Sequence, residues 1–333
     1  MLTIIEQINE QVKQANHILL IPHQNPDGDA LGSCTAFMEY LKCLGKRHTA
    51  YCATGITPRL SYLAHAQRIT SEAAIWQDRT IDLIIVFDSG DLRYAGVADK
   101  IAQLPTSVRI VNIDHHITNE RYGQLNFVLP HASSTAEVLY HFFTGNNISL
   151  NANLATSLLT GILTDTDNFT NAATSGKTLA IGHNLLLRGA DMQTITVSVF
   201  KDKTINTLKL WGVIFARLQK HGTLDLAHTY VLPTDLAEHN VAESDIEGIA
   251  NYTNNISDAR VTLVLKVLAD GKVKGSFRTT RDDTDVARIA KALNGGGHKK
   301  AAGFTLDGPV PIALEQITMQ MKALGGYETP VQL

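Results

Sequence analysis

Three short apolar runs early in the chain each end on a carboxylate or an imidazole, and this pattern constrains the fold more than any other feature. They are His17-Ile-Leu-Leu-Ile-Pro-His23, Ile81-Asp-Leu-Ile-Ile-Val-Phe87 before Asp88, and Val108-Arg-Ile-Val-Asn-Ile113 before Asp114-His115-His116. Apolar runs of this length read as strands buried on both faces, the signature of a parallel sheet. A further strand is expected over 47–53. Helical periodicity lies between the strands, at 2–15 and at 30–44, the latter stopped by Gly45. The β-α-β-α order predicts an open parallel sheet flanked by helices. Ligands of such sheets bind beyond the carboxyl ends of the strands, which is where these ionisable residues fall.

From Ser133 onward the chain reads differently. Ser133-Ser134 ahead of Thr-Ala-Glu137 resembles a helix cap, and helices are expected at 153–163, ending near Asp165, and at 174–187. Residues 204–220 read as one long connecting helix. Strands at 223–231, 260–268 and 272–279 and helices at 285–293 and 311–324 follow, with a glycine-rich loop, Gly295-Gly296-Gly297-His298, between the helices. The expected organisation is α/β with two lobes: residues 1–195, a linker helix over 196–221, and a smaller α/β domain over 222–333.

Composition narrows the function. With a formal net charge of -3 the chain has no general basic field, so any nucleic-acid substrate should be short. No apolar stretch reaches the ~20 residues of a membrane span. The first residues read as an amphipathic helix rather than a signal peptide, which makes the cytoplasm the default expectation. Cys34, Cys43 and Cys52 fit neither a disulfide framework nor a zinc knuckle and are expected to be free thiols.

Four clusters carry the chemistry. In His23-x-x-x-Asp27-x-Asp29 the turn at Gly28 would let two aspartates face different ions, beside the amides of a helix N-terminus. Asp88 closes a buried strand, where a carboxylate is costly unless capped, paired or metal-bound. In Asp114-His115-His116 imidazole and carboxylate together suit divalent metals. Asp165 ends a helix, where the dipole disfavours a negative charge that a cation would offset. For Asp27, Asp29 and Asp88 the reading as plain turn or cap residues weighs about as much, taken singly. Together the clusters offer oxygen and imidazole without thiolate, the donor set of a paired Mn²⁺ or Mg²⁺ centre. Neither a Ser-His-Asp pattern nor a P-loop competes. In the second lobe, the glycine run with His298, Lys299 and Lys300 could form an anion-binding nest, with Arg278 and Arg281 as guanidinium donors nearby.

These motifs together resemble the DHH phosphoesterase superfamily. The match lies in His23-Gln-Asn-Pro-Asp-Gly-Asp-Ala-Leu-Gly-Ser33, Asp88, Asp114-His115-His116 and Gly161-Ile-Leu-Thr-Asp165-Thr, while Gly-Gly-Gly-His-x-x-Ala-Ala-Gly-Phe304 resembles the DHH-associated C-terminal domain. The resemblance implies two lobes around a catalytic cleft and a pair of Mn²⁺ ions, with Mg²⁺ as the alternative. It assigns His23 and Asp27 to the first ion, Asp29, His115 and Asp165 to the second, and Asp88 to both. It further implies that His116 contacts the scissile phosphate, that Asp114 supports the site, and that Arg278, Gly296, Gly297 and His298 bind the phosphate and terminal nucleotide. Asp167 departs from the pattern, standing where a small residue, often glycine, is expected. Length favours the short oligoribonuclease (nanoRNase) and 3′-phosphoadenosine-5′-phosphate (pAp) phosphatase group. The implied substrates are very short RNA or DNA oligonucleotides or pAp, and a homodimer is implied by resemblance alone. The alternatives are a phosphodiesterase for linear dinucleotides such as pApA or pGpG, and a nucleotide-binding regulator without turnover.

Overall fold

A computed structural model describes residues 2–325 except 202 and 247. The chain divides into two compact units, residues 1–202 and 203–333.

In the first unit the strands β1 (Ile18–Pro22), β2 (His48–Tyr51), β3 (Ile69–Thr70), β4 (Leu83–Phe87), β5 (Arg109–Asp114) and β6 (Leu125–Val128) form a parallel sheet in the order β3-β2-β1-β4-β5-β6. The order reverses direction between β1 and β4, the position where open α/β sheets leave a crevice at their carboxyl edge. β1 and β4 are buried at every residue, as their unbroken apolar runs require. Helices α1 (Ile4–Gln14), α2 (Gly28–Cys43), α3 (Ala98–Ile101), α4 (Thr135–Gly145), α5 (Ala152–Asp165), α6 (Gly176–Leu187) and α7 (Met192–Ile195) complete the unit. α1 is the amphipathic helix expected, opened by a reciprocal Thr3–Glu6 capping box.

α2 and α5 pack unusually close, because glycine stands where they meet. A Cβ on Gly28 would lie 2.3 Å from Thr164 Cγ2, and one on Gly32 would lie 2.4 Å from the Ser157 carbonyl oxygen. Gly28 therefore serves helix contact and not the sharp turn expected of it: it is the first residue of α2, with Asp27 as N-cap. Cys34 and Cys52 are buried and Cys43 exposed, all three free.

The connector differs from expectation. Helical structure does not run unbroken through 196–221. A wide helical turn ends at Phe200, and a new helix, α8 (Ile205–Ala216), starts where the Thr204 side chain accepts from the Thr207 amide. A local cap of this kind restarts a helix whatever the apolar pattern. α8 belongs to the second unit, burying Leu210 and Ile214 against Val231, Ile249 and Val264.

The second unit adds α9 (Pro233–His239), α10 (Ile249–Tyr252), α11 (Val286–Ala292) and α12 (Val310–Ala323) to β7 (Gln219–Lys220), β8 (Leu226–Val231), β9 (Val261–Val267), β10 (Val273–Arg278), β11 (Gly296–His298) and β12 (Ala301–Leu306). The sheet order is β11-β12-β10-β9-β8-β7, with only the β8–β9 pair parallel. Alternation along β9 separates the two faces. Leu263 and Leu265 join a core with Phe277, Phe304, Ile289 and Ile317, while Val264 faces the cluster of α8 and α10.

Candidate metal centre

The first unit brings the four sequence clusters to one place. His23 follows β1, Asp88 follows β4, Asp114 ends β5 with His115 and His116 behind it, Asp29 lies in the first turn of α2, and Asp165 ends α5. Three groups form whose possible ligand atoms lie within 4.8 Å of one another: His23, Asp27 and Asp88; Asp29, His115 and Asp165; and Asp88, Asp114, His115 and His116.

Asp88 is the hinge of the arrangement. One carboxylate oxygen, Oδ2, lies 3.6 Å from His23 Nε2; the other, Oδ1, lies 3.7 Å from His115 Nε2 and 3.5 Å from His116 Nδ1. Its backbone is left-handed, at φ 55°, a conformation that costs a non-glycine residue ~1–3 kcal/mol and re-aims the side chain as the strand ends. The Thr135 hydroxyl donates to Oδ1 at 3.0 Å.

The backbone orients the imidazoles. His23 Nδ1 donates to the Gln24 carbonyl at 2.8 Å, so Nε2 is the nitrogen that faces Asp27 and Asp88. His115 Nε2 lies 3.2 Å from Asp165 Oδ2. His116 Nδ1 donates to Asp114 Oδ1 at 2.8 Å, and the same oxygen accepts the His115 and His116 amides at 2.7 and 3.2 Å. The other Asp114 oxygen accepts from Asn119. Asp114 thus fixes the loop that carries both histidines.

Asp29, wholly buried, is held by a helix other than its own. Its two oxygens accept the Thr135 and Ala136 amides, at 2.6 and 2.8 Å, at the N-terminus of α4. Asp27 combines two roles: one oxygen caps α2 by accepting the Asp29 and Ala30 amides, and that same oxygen lies 3.8 Å from His23 Nε2.

The electrostatics report crowded negative charge. Burial, then the charge of Asp27, pushes Asp88 up to about 7. Burial and the charge of Asp88 push Asp29 up to about 8. Burial, with Asp29 and Asp88 next, drives Asp165 well above the carboxylate range. Burial alone would lower His23, but Asp27 and Asp88 outweigh it and raise the imidazole to about 9, so it takes up a proton among the carboxylates. Buried carboxylates drawn together at this density need a positive charge. Oxygen and imidazole donors without thiolate fit a divalent ion such as Mn²⁺ or Mg²⁺.

Asp167 stays outside these groups. It begins a run of left-handed residues with Asn168 and Phe169, at φ 49, 58 and 65°, which accounts for the small residue expected there. Asp91 accepts the Arg93 and Tyr94 amides and so shapes a turn, and the Arg93 guanidinium lies 3.9 Å from Glu120. Sequence reading missed Thr135 and Asn119. Thr135 stood one residue past the recognised cap, and Asn119 three past the histidine pair.

Residues 17–162 match the model of the DHH family's N-terminal domain, and residues 225–324 match the DHHA1 domain. The chain belongs to the DHH family. It is 30% identical to the bifunctional oligoribonuclease and PAP phosphatase NrnA of Thermus thermophilus, over 87% of this chain and 84% of the relative. The protein of the same name from Bacillus subtilis is 26% identical, over 87% and 89%. An exopolyphosphatase-related protein from Bacteroides fragilis shares the fold, with a TM-score of 0.88 at 23% identity and 96% of each chain covered. As a DHH-family member with this centre, the chain is a metal-dependent phosphoesterase. No helix among the described residues is long and apolar enough to cross a membrane.

In the second unit the glycine run is a strand rather than a loop. β11 pairs with β12, and Arg278, Ala301 and His298 share one row across the sheet. Two of the glycines are required by packing. A Cβ on Gly295 would lie 2.2 Å from the Gly303 carbonyl oxygen, and Gly297 combines φ 137° with a Cβ position 2.6 Å from the Ala301 carbonyl oxygen. A Cβ on Gly296 would meet nothing within 4 Å. Lys300 pairs with Asp282 at 2.8 Å, so its charge is already matched. Arg281 donates to the Ser257 carbonyl at 3.3 Å.

Proposed function

We propose that this enzyme hydrolyses very short oligonucleotides to mononucleotides and converts pAp to AMP, with two Mn²⁺ ions, or Mg²⁺ in their place. His23 and Asp27 would hold one ion, Asp29, His115 and Asp165 the other, and Asp88 both. The observation that carries the reading is the division of Asp88, whose oxygens face His23 on one side and His115 on the other. The likeness to two oligoribonuclease and PAP phosphatase relatives along most of both chains supports the substrate class. A bound ion pair would lower the pKa of a water and stabilise charge on the phosphoryl oxygens.

The protein's own groups supply the rest. Burial would lower His116, but the bond to Asp114 and the charges of Asp88 and Asp114 raise it to about 9, which favours the protonated form in the metal-free site. A cationic donor of that kind suits a phosphoryl oxygen. Asp114 keeps it in place. Arg278, Gly295, Gly296, Gly297 and His298 would bind the substrate's phosphate and end nucleotide. Arg278 fits this role because its hydrogen bonds go to Asn251 and a backbone carbonyl and no carboxylate of the described residues pairs with it, and Gly296 because its open side needs no glycine for packing. A net charge of -3 agrees with a local pocket for a short substrate.

The test compares rates on pAp, pApA and a five-nucleotide RNA with Mn²⁺, for the wild type and Asp88→Ala. The variant should lose hydrolysis of all three, since both ions lose a ligand. An undiminished rate refutes the metal assignment. Fast turnover of pApA alone replaces the substrate reading with a linear dinucleotide phosphodiesterase, and tight nucleotide binding without turnover of any substrate replaces it with a regulator.

A further inference from the structure

On the sheet face that carries Arg278, one side chain fixes where the guanidinium points. Arg278 Nε donates to Asn251 Oδ1 at 2.8 Å, and one Nη1 hydrogen goes to the Phe277 carbonyl at 2.9 Å. A guanidinium has five N–H donors in a planar fork, so both Nη2 hydrogens and the second on Nη1 are left to meet a ligand. Burial holds the guanidinium below its usual range, with no carboxylate of the described residues to offset the loss of water. A half-buried cation without a carboxylate partner is suited to an anionic ligand.

The surroundings make the orientation matter. Arg278 pairs in register with Thr262 of β9 and Ala301 of β12, and Ser276 with Val264 and Gly303. Toward β12 and β11 the neighbouring row on this side is built of small residues, Ser276, Gly303 and Gly296, while Arg278's own row runs through Ala301 to His298. Toward β9 this side is walled by α10, which carries Asn251. Arginine is long and has many rotamers, so an unguided guanidinium above so flat a strip would sample several directions.

We infer that Asn251 is a positioning residue: by accepting from Nε it sets the outward Nη edge of Arg278 toward the substrate's phosphate. This rests on the reading of Arg278 as a phosphate ligand. A purely structural role for Asn251, holding α10 on the sheet, has its own control in the structure. α10 has a second tether, the 2.8 Å bond between the hydroxyls of Thr253, just beyond its end, and Thr262, which does not involve Arg278.

The experiment uses the full Mn²⁺-loaded protein and the variants Asn251→Ala, Arg278→Ala, the double variant and Thr253→Val. KM and kcat for pAp, the Kd for AMP by calorimetry, and melting temperature are measured for each. N251A should raise KM and the AMP Kd about ten-fold, the order expected for a hydrogen bond to a charged group, with kcat changed far less. In the R278A background the same substitution should change nothing further. T253V should leave KM at the wild-type value. A KM effect of T253V equal to that of N251A, or an N251A effect that persists undiminished without Arg278, overturns the positioning role. If R278A binds AMP and pAp as well as the wild type, the phosphate-ligand reading of Arg278 falls and the inference with it. If R278A binds poorly while N251A is unaffected, only the inference falls.

Discussion

The close approach of α5 to the metal centre predicts the effect of adding one methyl group. Gly161 lies inside α5, where alanine is intrinsically better than glycine by about 0.5–1 kcal/mol. On sequence alone Gly161→Ala should stabilise. The space opposes it. The new Cβ would lie 2.6 Å from Asp29 Oδ1, 2.6 Å from the Ala136 Cβ and 3.2 Å from the Asp29 Cα. The carboxylate cannot retreat freely, because the Thr135 and Ala136 amides hold both oxygens at 2.6 and 2.8 Å. Overpacking of a tight interior costs about 1–3 kcal/mol, and two contacts at 2.6 Å put this site in the upper part of that range, so the net change is a loss of about 1–2 kcal/mol. In a unit of this size each kcal/mol is worth about 2–4 °C, and the melting temperature should fall by about 2–8 °C. Because Asp29 or α4 must yield, Mn²⁺ affinity and hydrolysis should fall with it. Gly176→Ala is the matched control: its Cβ would meet nothing within 4 Å, and it should melt at or above the wild-type temperature. Calorimetric melting, Mn²⁺ titration and pAp turnover read all three. A G161A protein as stable and as tightly metal-bound as the wild type would refute the packing argument.

The titrations predict how the metal-free protein responds to pH. Asp88 at about 7, Asp29 at about 8, and His23 and His116 at about 9 all stand above their unfolded values. Their favourable contribution is complete near pH 4 for the carboxylates and pH 6.5 for the histidines, and is lost as pH rises through 7–9. Chelator-stripped protein should therefore melt progressively lower from about pH 5 to 9, while Mn²⁺ should restore most stability at the alkaline end; a stripped protein that grows more stable over that range contradicts the assignment. In the second unit, Gly296→Ala should melt like the wild type yet bind AMP less tightly, whereas Gly295→Ala, with a Cβ 2.2 Å from a carbonyl oxygen, should destabilise the unit. Equal melting temperatures for the two variants would undo the distinction drawn between these glycines.

Much of the first unit could be read from the sequence because its signals are local. A buried apolar run announces a strand, and a carboxylate at its end is conspicuous because burial makes it costly. That logic located His23, Asp88, Asp114 and His115 without knowledge of distances. It could not supply the partners that close the site. Thr135 matters because α4 delivers it to Asp88, and Asn119 because its loop folds back on Asp114; neither contact leaves a trace in spacing. Gly28 was legible as a glycine but not for the right reason, since its neighbour, Thr164, stands far along the chain. The glycine run in the second unit looked like a loop because glycine is rare in strands, and only the pairing of β11 with β12 shows why two of the three are needed there. The connecting helix was overextended because its apolar pattern continues across Thr204, whose hydroxyl starts a new helix.

Asp29 has a wider consequence. Its carboxylate joins the candidate metal centre by way of α2, yet its orientation comes from the first amides of α4, and the adjoining wall comes from α5. Three helices separated along the polypeptide must therefore dock before this one group faces the right way. Uptake of the proposed ions would then come late in folding and report its completion: a fragment that stops before α5, or a chain with α4 unseated, would retain His23 and Asp88 but should capture a divalent ion poorly.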